Sequence, residues 1–144
     1  MSEHTASITW HKQGEFSHEH VERSHHAQMS GHSIPMSGAN TPAFADPEQM
    51  LAASLASCHM QTFLLLAAKK RLQVESYEDT ATAIVEANGE GKMYVSEVRL
   101  KPRAVFMGDK RPSQDDIKNM HHKAHEHCFV SNSLISKTII EPVF

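Results

Sequence analysis

The stretch from Asp46 to Arg71 constrains the fold of this chain more than any other. Asp46 is a good helix N-cap and Pro47 suits the first helical position. The run EQMLAASLASCHMQTFLLLAAKKR then follows without Gly or Pro, and its Ala, Leu, Met and Gln content favours helix. From Met50 to Ala68 apolar side chains fall on nearly every side, the mark of a helix enclosed by protein. Lys69, Lys70 and Arg71 complement the negative end of its dipole. The rest of the chain must cover this helix. Its longest apolar run, Phe63 to Ala68, is far too short to span a bilayer, so no membrane association is expected.

The flanking segments read mainly as sheet. Thr5 to Trp10 alternates loosely and suits a first strand. Phe16 to Met29 is polar, His-rich and weakly strand-like, and Gly31 to Pro47 reads as loop from its Gly, Ser, Pro and Ala content. Val74 to Ala87 and Lys92 to Phe106 form a long hairpin joined by the turn signal Asn88-Gly89-Glu90-Gly91. Tyr94, Val98, Leu100, Ala104 and Phe106 share one parity, and Pro102 marks an edge position or a bulge. Ser113, with Asp115 and Asp116 behind it, starts a second helix that reaches about His127. Ile135 to Phe144 supplies a last strand. This order predicts one α+β domain over residues 1–144.

Composition excludes some functions. Lys and Arg number 14 against 17 Asp and Glu, for a net charge of -3. The basic residues are scattered, so no nucleic-acid partner is expected. No charged-then-apolar leader opens the chain, and a cytoplasmic location is expected. In a reducing compartment two cysteines mean redox chemistry, metal ligation or two buried thiols. Cys58 lies inside the apolar helix, and Cys128 follows the second one. They can meet only through tertiary structure. A reactive thiol needs a positive charge or a favourable dipole beside it, and His59 is the only local candidate.

The stretch DPEQMLAASLASCHMQTFLLLAAKK resembles the central helix of the OsmC/Ohr family, with Cys ten positions after Glu. HHKAHEHCFVSNSL resembles the family's second-cysteine helix and the turn after it. The resemblance spans essentially the whole chain. It implies an intertwined α+β homodimer with antiparallel sheets around the central helices, and active sites at the dimer interface. It also implies reduction of organic hydroperoxides by a cysteine pair without haem, metal or other cofactor, with a dithiol reductant that could be a lipoyl-bearing protein. Residue by residue, Cys58 matches the peroxidatic position, Cys128 the resolving one and Glu48 the Glu of the family's Pro-Glu motif. Many relatives carry Tyr-Ser-Arg-x-His upstream; here Val21-Glu22-Arg23-Ser24-His25 keeps only Arg and His. No Arg occurs from Ser24 to Met50, so Arg23 is the N-terminal arginine available. Without it, His25 or His59 would have to supply the charge.

Helix geometry adds an expectation. Glu48 and Cys58 lie ten residues apart on one helix, about 15 Å if it is straight. Either Glu48 serves the Cys58 of a partner subunit or the helix bends between them. Two other functions fit the residues. His121, His122 and His125 share a helix face near Cys128, a spacing that permits zinc or copper. An apolar pocket formed by Met60, Phe63, Phe44 or Phe129 would suit a ligand-binding protein without turnover.

Overall fold

Local sequence signals set where the elements of the computed structural model, which describes residues 1–144, begin and end. The chain divides into two compact units, Met1–Met50 and Leu51–Phe144. In the first unit β1 (Ser7–Thr9), β2 (His25–Met29) and β3 (His32–Met36) form an antiparallel sheet in that order. The strand β3 lies where loop was expected. Its cause is the turn Ser30-Gly31, with φ of 51° and 80°. Two positive φ values make the tight hairpin turn whose twist matches its strands, and Met29 pairs with His32 across it. A two-residue turn was hidden among many loop-forming residues.

Helix α1 (Pro47–Lys69) starts at the predicted cap. Asp46 Oδ1 accepts from the Gln49 backbone N–H at 2.8 Å, and Gln49 Oε1 accepts from the Asp46 N–H at 3.0 Å. This reciprocal pair satisfies two backbone donors at the helix start. In the second unit β4 (Gln73–Glu78) pairs with β7 (Arg103–Met107). β5 (Thr82–Ala87) pairs with β6 (Met93–Leu100). The long hairpin is therefore broken into two sheets, at Asp79 on one arm and Pro102 on the other. Asp79 Oδ1 accepts from the Lys101 N–H at 2.7 Å. Pro102, fully buried, accepts from the Val143 N–H at 2.8 Å. Pro102 is thus a hinge between strands, since it has no N–H to continue the ladder.

Helices α2 (Gln114–His127) and α3 (Phe129–Asn132) precede β8 (Lys137–Ile140). β8 joins β6 in parallel, so this sheet is mixed and not wholly antiparallel. The long excursion through β7 and α2 permits a parallel return. Ser113 caps α2: its Oγ accepts from the Asp116 N–H at 3.1 Å, and Asp116 Oδ2 accepts from the Ser113 N–H at 2.9 Å. Ser113→Ala is expected to cost about 1 kcal/mol, read as a lower urea midpoint at unchanged m-value. An unchanged midpoint would show that this cap does not hold the helix.

One stripe of α1 is buried: Ala52, Leu55, His59, Phe63 and Ala67, spaced at three and four residues. Phe63 and Ala67 pack with Leu72, Phe106, Met120 and Ala124. Ala52 and Leu55 pack with Val98, Leu100 and Cys128. The expectation that α1 is enclosed on every side does not hold within one chain. Ala53, Ser57, Gln61, Leu65 and Ala68 face outward, with Leu65 73% exposed. The apolar-run argument against a membrane span also understated the helix. Its best 18-residue window has a mean hydropathy of 1.5, enough to cross a bilayer by length and composition. The packed stripe, with a histidine at its centre, is what marks α1 as a core helix.

Candidate functional site

Cys58 sits in the middle of α1 and Cys128 between α2 and α3, and the fold brings them together. Cys128 is a fully buried member of the cluster around Leu55, Val98 and Leu100, and Cys58, half-buried, packs against that cluster. No disulfide joins them. Burial pushes the Cys128 thiol up to about 11, and its interaction with the Cys58 side chain pushes in the same direction. A buried sulfur with no cation beside it stays protonated. Cys128 is therefore a thiol at neutral pH, while Cys58 has the more open position.

Cys128 also joins two helices. It is the C-cap of α2 and the N-cap of α3, where its Sγ accepts from the Ser131 N–H at 3.4 Å. Ser131 Oγ in turn lies 3.0 Å from His125 Nδ1 and 3.4 Å from Thr138 Oγ1. Ser131 carries no sequence signal of its own; only the α3 turn, absent from the sequence-based expectation, places it under the sulfur.

Arg23 and Glu48 both belong to the first unit. Arg23 is exposed, and its guanidinium lies over Gly38: a Cβ there would sit 2.6 Å from Nη1. Its backbone oxygen is 2.7 Å from His25 Nδ1. Glu48 is half-buried in the first turn of α1. No ion pair joins Arg23 to Glu48 within the chain. Helix α1 is continuous from Pro47 to Lys69, so Glu48 and Cys58 stay nearly three turns apart.

His59 cannot supply a cation to Cys58. It is 1% exposed, and its Nε2 lies 2.9 Å from Nδ1 of His121, which is 2% exposed. The two imidazoles lie edge to edge, their planes 6° apart and their centroids 5.2 Å apart, and the Phe63 ring covers His121 at 4.3 Å. Burial lowers both histidines to about 4; for His59 the neighbouring His121 and then His125 add to it. Both imidazoles are neutral at pH 7. The sequence pointed to His59 by adjacency, but a side chain one residue along a helix is rotated away from its neighbour.

The same arrangement leaves the alternative metal-binding reading without a ligand set. No three His, Cys, Asp or Glu side chains converge on one point. His121 is turned to His59, while His122 faces Glu126 at 3.1 Å. Of the side chains suggested for an apolar pocket, Phe63 and Phe129 lie in quite different surroundings. Phe63 fills the core and Phe129 is 82% exposed.

A model of the OsmC-like protein family matches residues 39–142, which include both cysteines and all of α1 and α2. The chain belongs to the OsmC-like family. An OsmC-like protein of unknown function from Vibrio cholerae is 38% identical, with a TM-score of 0.93 over 99% of this chain and 100% of that one. The organic hydroperoxide resistance protein of Bacillus subtilis is 18% identical, with a TM-score of 0.71 over 96% of this chain and 98% of that one. Another from Elizabethkingia anophelis, also 18% identical with a TM-score of 0.71, covers 99% of this chain and is itself covered over 94%. At that identity these last two establish the α+β fold alone. Among curated proteins none matches this OsmC-like chain significantly.

Proposed function

We propose that this protein is a cytoplasmic, homodimeric thiol peroxidase for organic hydroperoxides. The observation that carries this reading is the apposition of Cys58 and Cys128, one half-buried and one kept protonated by burial. Membership in a family that includes proteins named for organic hydroperoxide resistance supports it.

The chemistry balances with two thiols and one peroxide. The Cys58 thiolate attacks the outer peroxide oxygen, and the O–O bond breaks. The alkoxide takes a proton and leaves as alcohol, and Cys58 becomes a sulfenic acid. The Cys128 sulfur then attacks the Cys58 sulfur. An S–S bond forms, the S–O bond breaks, and the Cys128 proton departs with the hydroxide as water. An external dithiol, with a lipoyl-bearing protein as one candidate, reduces the disulfide by exchange.

Arg23 and Glu48 complete this proposal. A guanidinium beside Cys58 favours the thiolate and can bond a peroxide oxygen, and Glu48 would hold it by a bidentate pair. The length of α1 between Glu48 and Cys58 supports assigning Glu48 to the partner's site. The apolar side chains left bare in the single chain, Leu65, Phe129 and Ile135, support a dimer that covers them. Arg23→Ala is expected to slow hydroperoxide reduction about tenfold to a hundredfold, the range of a charge-assisted hydrogen bond. Gly38→Ala, which pushes only the flexible tip of Arg23, should slow it less and leave the melting temperature nearly unchanged. Equal rates in wild type and Arg23→Ala would remove Arg23 from the site.

The decisive test is stoichiometric. One equivalent of cumene hydroperoxide added to reduced protein should remove both free thiols of each chain. Loss of neither thiol sinks the peroxidase reading; loss of one alone sinks the role of Cys128.

A further inference from the structure

Helix α3 is a single turn with no fully buried side chain, yet it carries the Ser131 N–H that meets Cys128 Sγ at 3.4 Å. We propose that Ser131, clamped through its hydroxyl by His125 and Thr138, is a positioning residue for the resolving step. It keeps that N–H aimed at the sulfur while negative charge builds there. This role deepens the thiol peroxidase reading and rests on it.

Charge must pass through the Cys128 sulfur when it attacks the Cys58 sulfenic acid. The thiol proton leaves, the S–S bond forms, the S–O bond breaks, and the proton and hydroxide depart as water. Burial opposes the Cys128 thiolate most, and the Cys58 side chain adds to that. The backbone N–H groups of Ser131 and then Val130 act in the opposite sense. A hydrogen bond to an ionised acceptor is about twice as strong as a neutral one. The Ser131 bond therefore tightens as the sulfur ionises, and it helps the transition state more than the resting thiol.

Side-chain tethers hold this N–H in place. One isolated helical turn has little stability of its own. Phe129 is exposed, and Val130 is only half-buried against the core. Ser131 Oγ, by contrast, reaches His125 Nδ1 on α2 at 3.0 Å and Thr138 Oγ1 on β8 at 3.4 Å. Asn132 Nδ2 adds a bond to the Glu126 carbonyl at 3.2 Å. A consistent proton arrangement has the Thr138 hydroxyl donating to Ser131 Oγ and the Ser131 hydroxyl donating to His125 Nδ1. Both ends of the clamp are fixed: α2 is anchored in the core by Met120 and Ala124, and β8 by its pairing with β6. The hydroxyl and the N–H belong to one residue, so holding the first orients the second. Hydrogen bonds weaken steeply when misaligned, which makes that orientation matter.

Reduced full-length protein can be mixed with one equivalent of cumene hydroperoxide and quenched at intervals into dimedone, with mass spectrometry counting sulfenic acid and disulfide. Ser131→Ala and His125→Ala should form the Cys58 sulfenic acid at the wild-type rate. Each should close the disulfide about tenfold more slowly, as expected for one weakened hydrogen bond to an ionised group. The double variant should be no slower than either single one, because both cut the same tether. His125→Asn, whose amide can still meet the Ser131 hydroxyl, should restore closure to within about twofold. Closure at the wild-type rate in both alanine variants overturns the proposal, as does His125→Asn closing as slowly as His125→Ala. No sulfenic acid and no disulfide in wild type would instead sink the peroxidase reading. A second measurement needs no peroxide. In a Cys58→Ser background at pH about 9, Ser131→Ala should slow the reaction of Cys128 with methyl methanethiosulfonate about tenfold, since less thiolate forms. A faster reaction would show that Ser131 merely keeps the turn closed over the sulfur, and would overturn its positioning role.

Discussion

Cys58→Ser is expected to abolish hydroperoxide consumption, while Cys128→Ser still consumes one equivalent per chain and then stops. The two sulfurs differ in surroundings, and the difference underlies the roles proposed for them. Cys128 is fully buried and held near 11, so its thiolate fraction at pH 7 is about one in ten thousand. It is poorly suited to a first attack on a peroxide from solvent. It is well suited to waiting beside Cys58, because the sulfenic sulfur is an electrophile already in contact. Without Cys128 the oxidised Cys58 has no partner, and turnover with an external dithiol should fall by about a thousandfold or more. A sulfenic acid should then accumulate on Cys58, detectable by dimedone labelling and mass spectrometry. Equal turnover in Cys128→Ser and wild type would show that the reductant acts on the sulfenic acid directly. Equal consumption by Cys58→Ser would reverse the assignment.

Acid is expected to destabilise the fold through His59 and His121. Both folded values are depressed, from 6.5 to about 4, mainly by burial. Below pH 6.5 the unfolded chain binds protons that the folded pair refuses. The stabilisation is therefore present above pH 6.5 and is lost as pH falls through about 4. A displacement of this size on one group corresponds to about 3 kcal/mol. The two contributions do not simply add, since part of the shift on His59 comes from His121. Unfolding free energies from urea titrations at pH 7 and pH 4.5 should differ by about 3 kcal/mol more in wild type than in a His59→Leu, His121→Leu double variant. NMR titration of the native protein gives a second readout that needs no variant. Two histidines that remain neutral at pH 5 would agree with the buried pair. All twelve titrating near 6.5 would contradict it.

Much of the site's scaffold was legible in the sequence, and the reasons are local. Asp46 and Gln49 form a cap from side chains three residues apart, as do Ser113 and Asp116. The Asn88–Gly91 turn joins β5 to β6 for similarly short-range reasons. The inward parity of Val98, Leu100 and Phe106 follows from strand geometry. β3 was not legible, because Pro35 and the Ser and Gly residues around it resemble loop and only pairing with β2 makes a strand. The break at Asp79 and Pro102 was half legible. Pro102 announced an interruption, but not that it divides one hairpin between two sheets.

The sequence by itself determined where α1 and α2 run, what caps them, and that a cysteine lies in the middle of one and at the end of the other. It also carried the two cysteine motifs of the OsmC-like family. Only tertiary structure decided which partners these residues meet. It set Cys128 against Cys58, His121 against His59 and Phe63, and Ser131 between Cys128 and His125. Capping and helix propensity act over a few residues and can be read from neighbours. The pairings that carry chemistry join residues some sixty to seventy positions apart. They exist because β6, β8, α1 and α2 bury their apolar faces together, and no single segment encodes that joint solution.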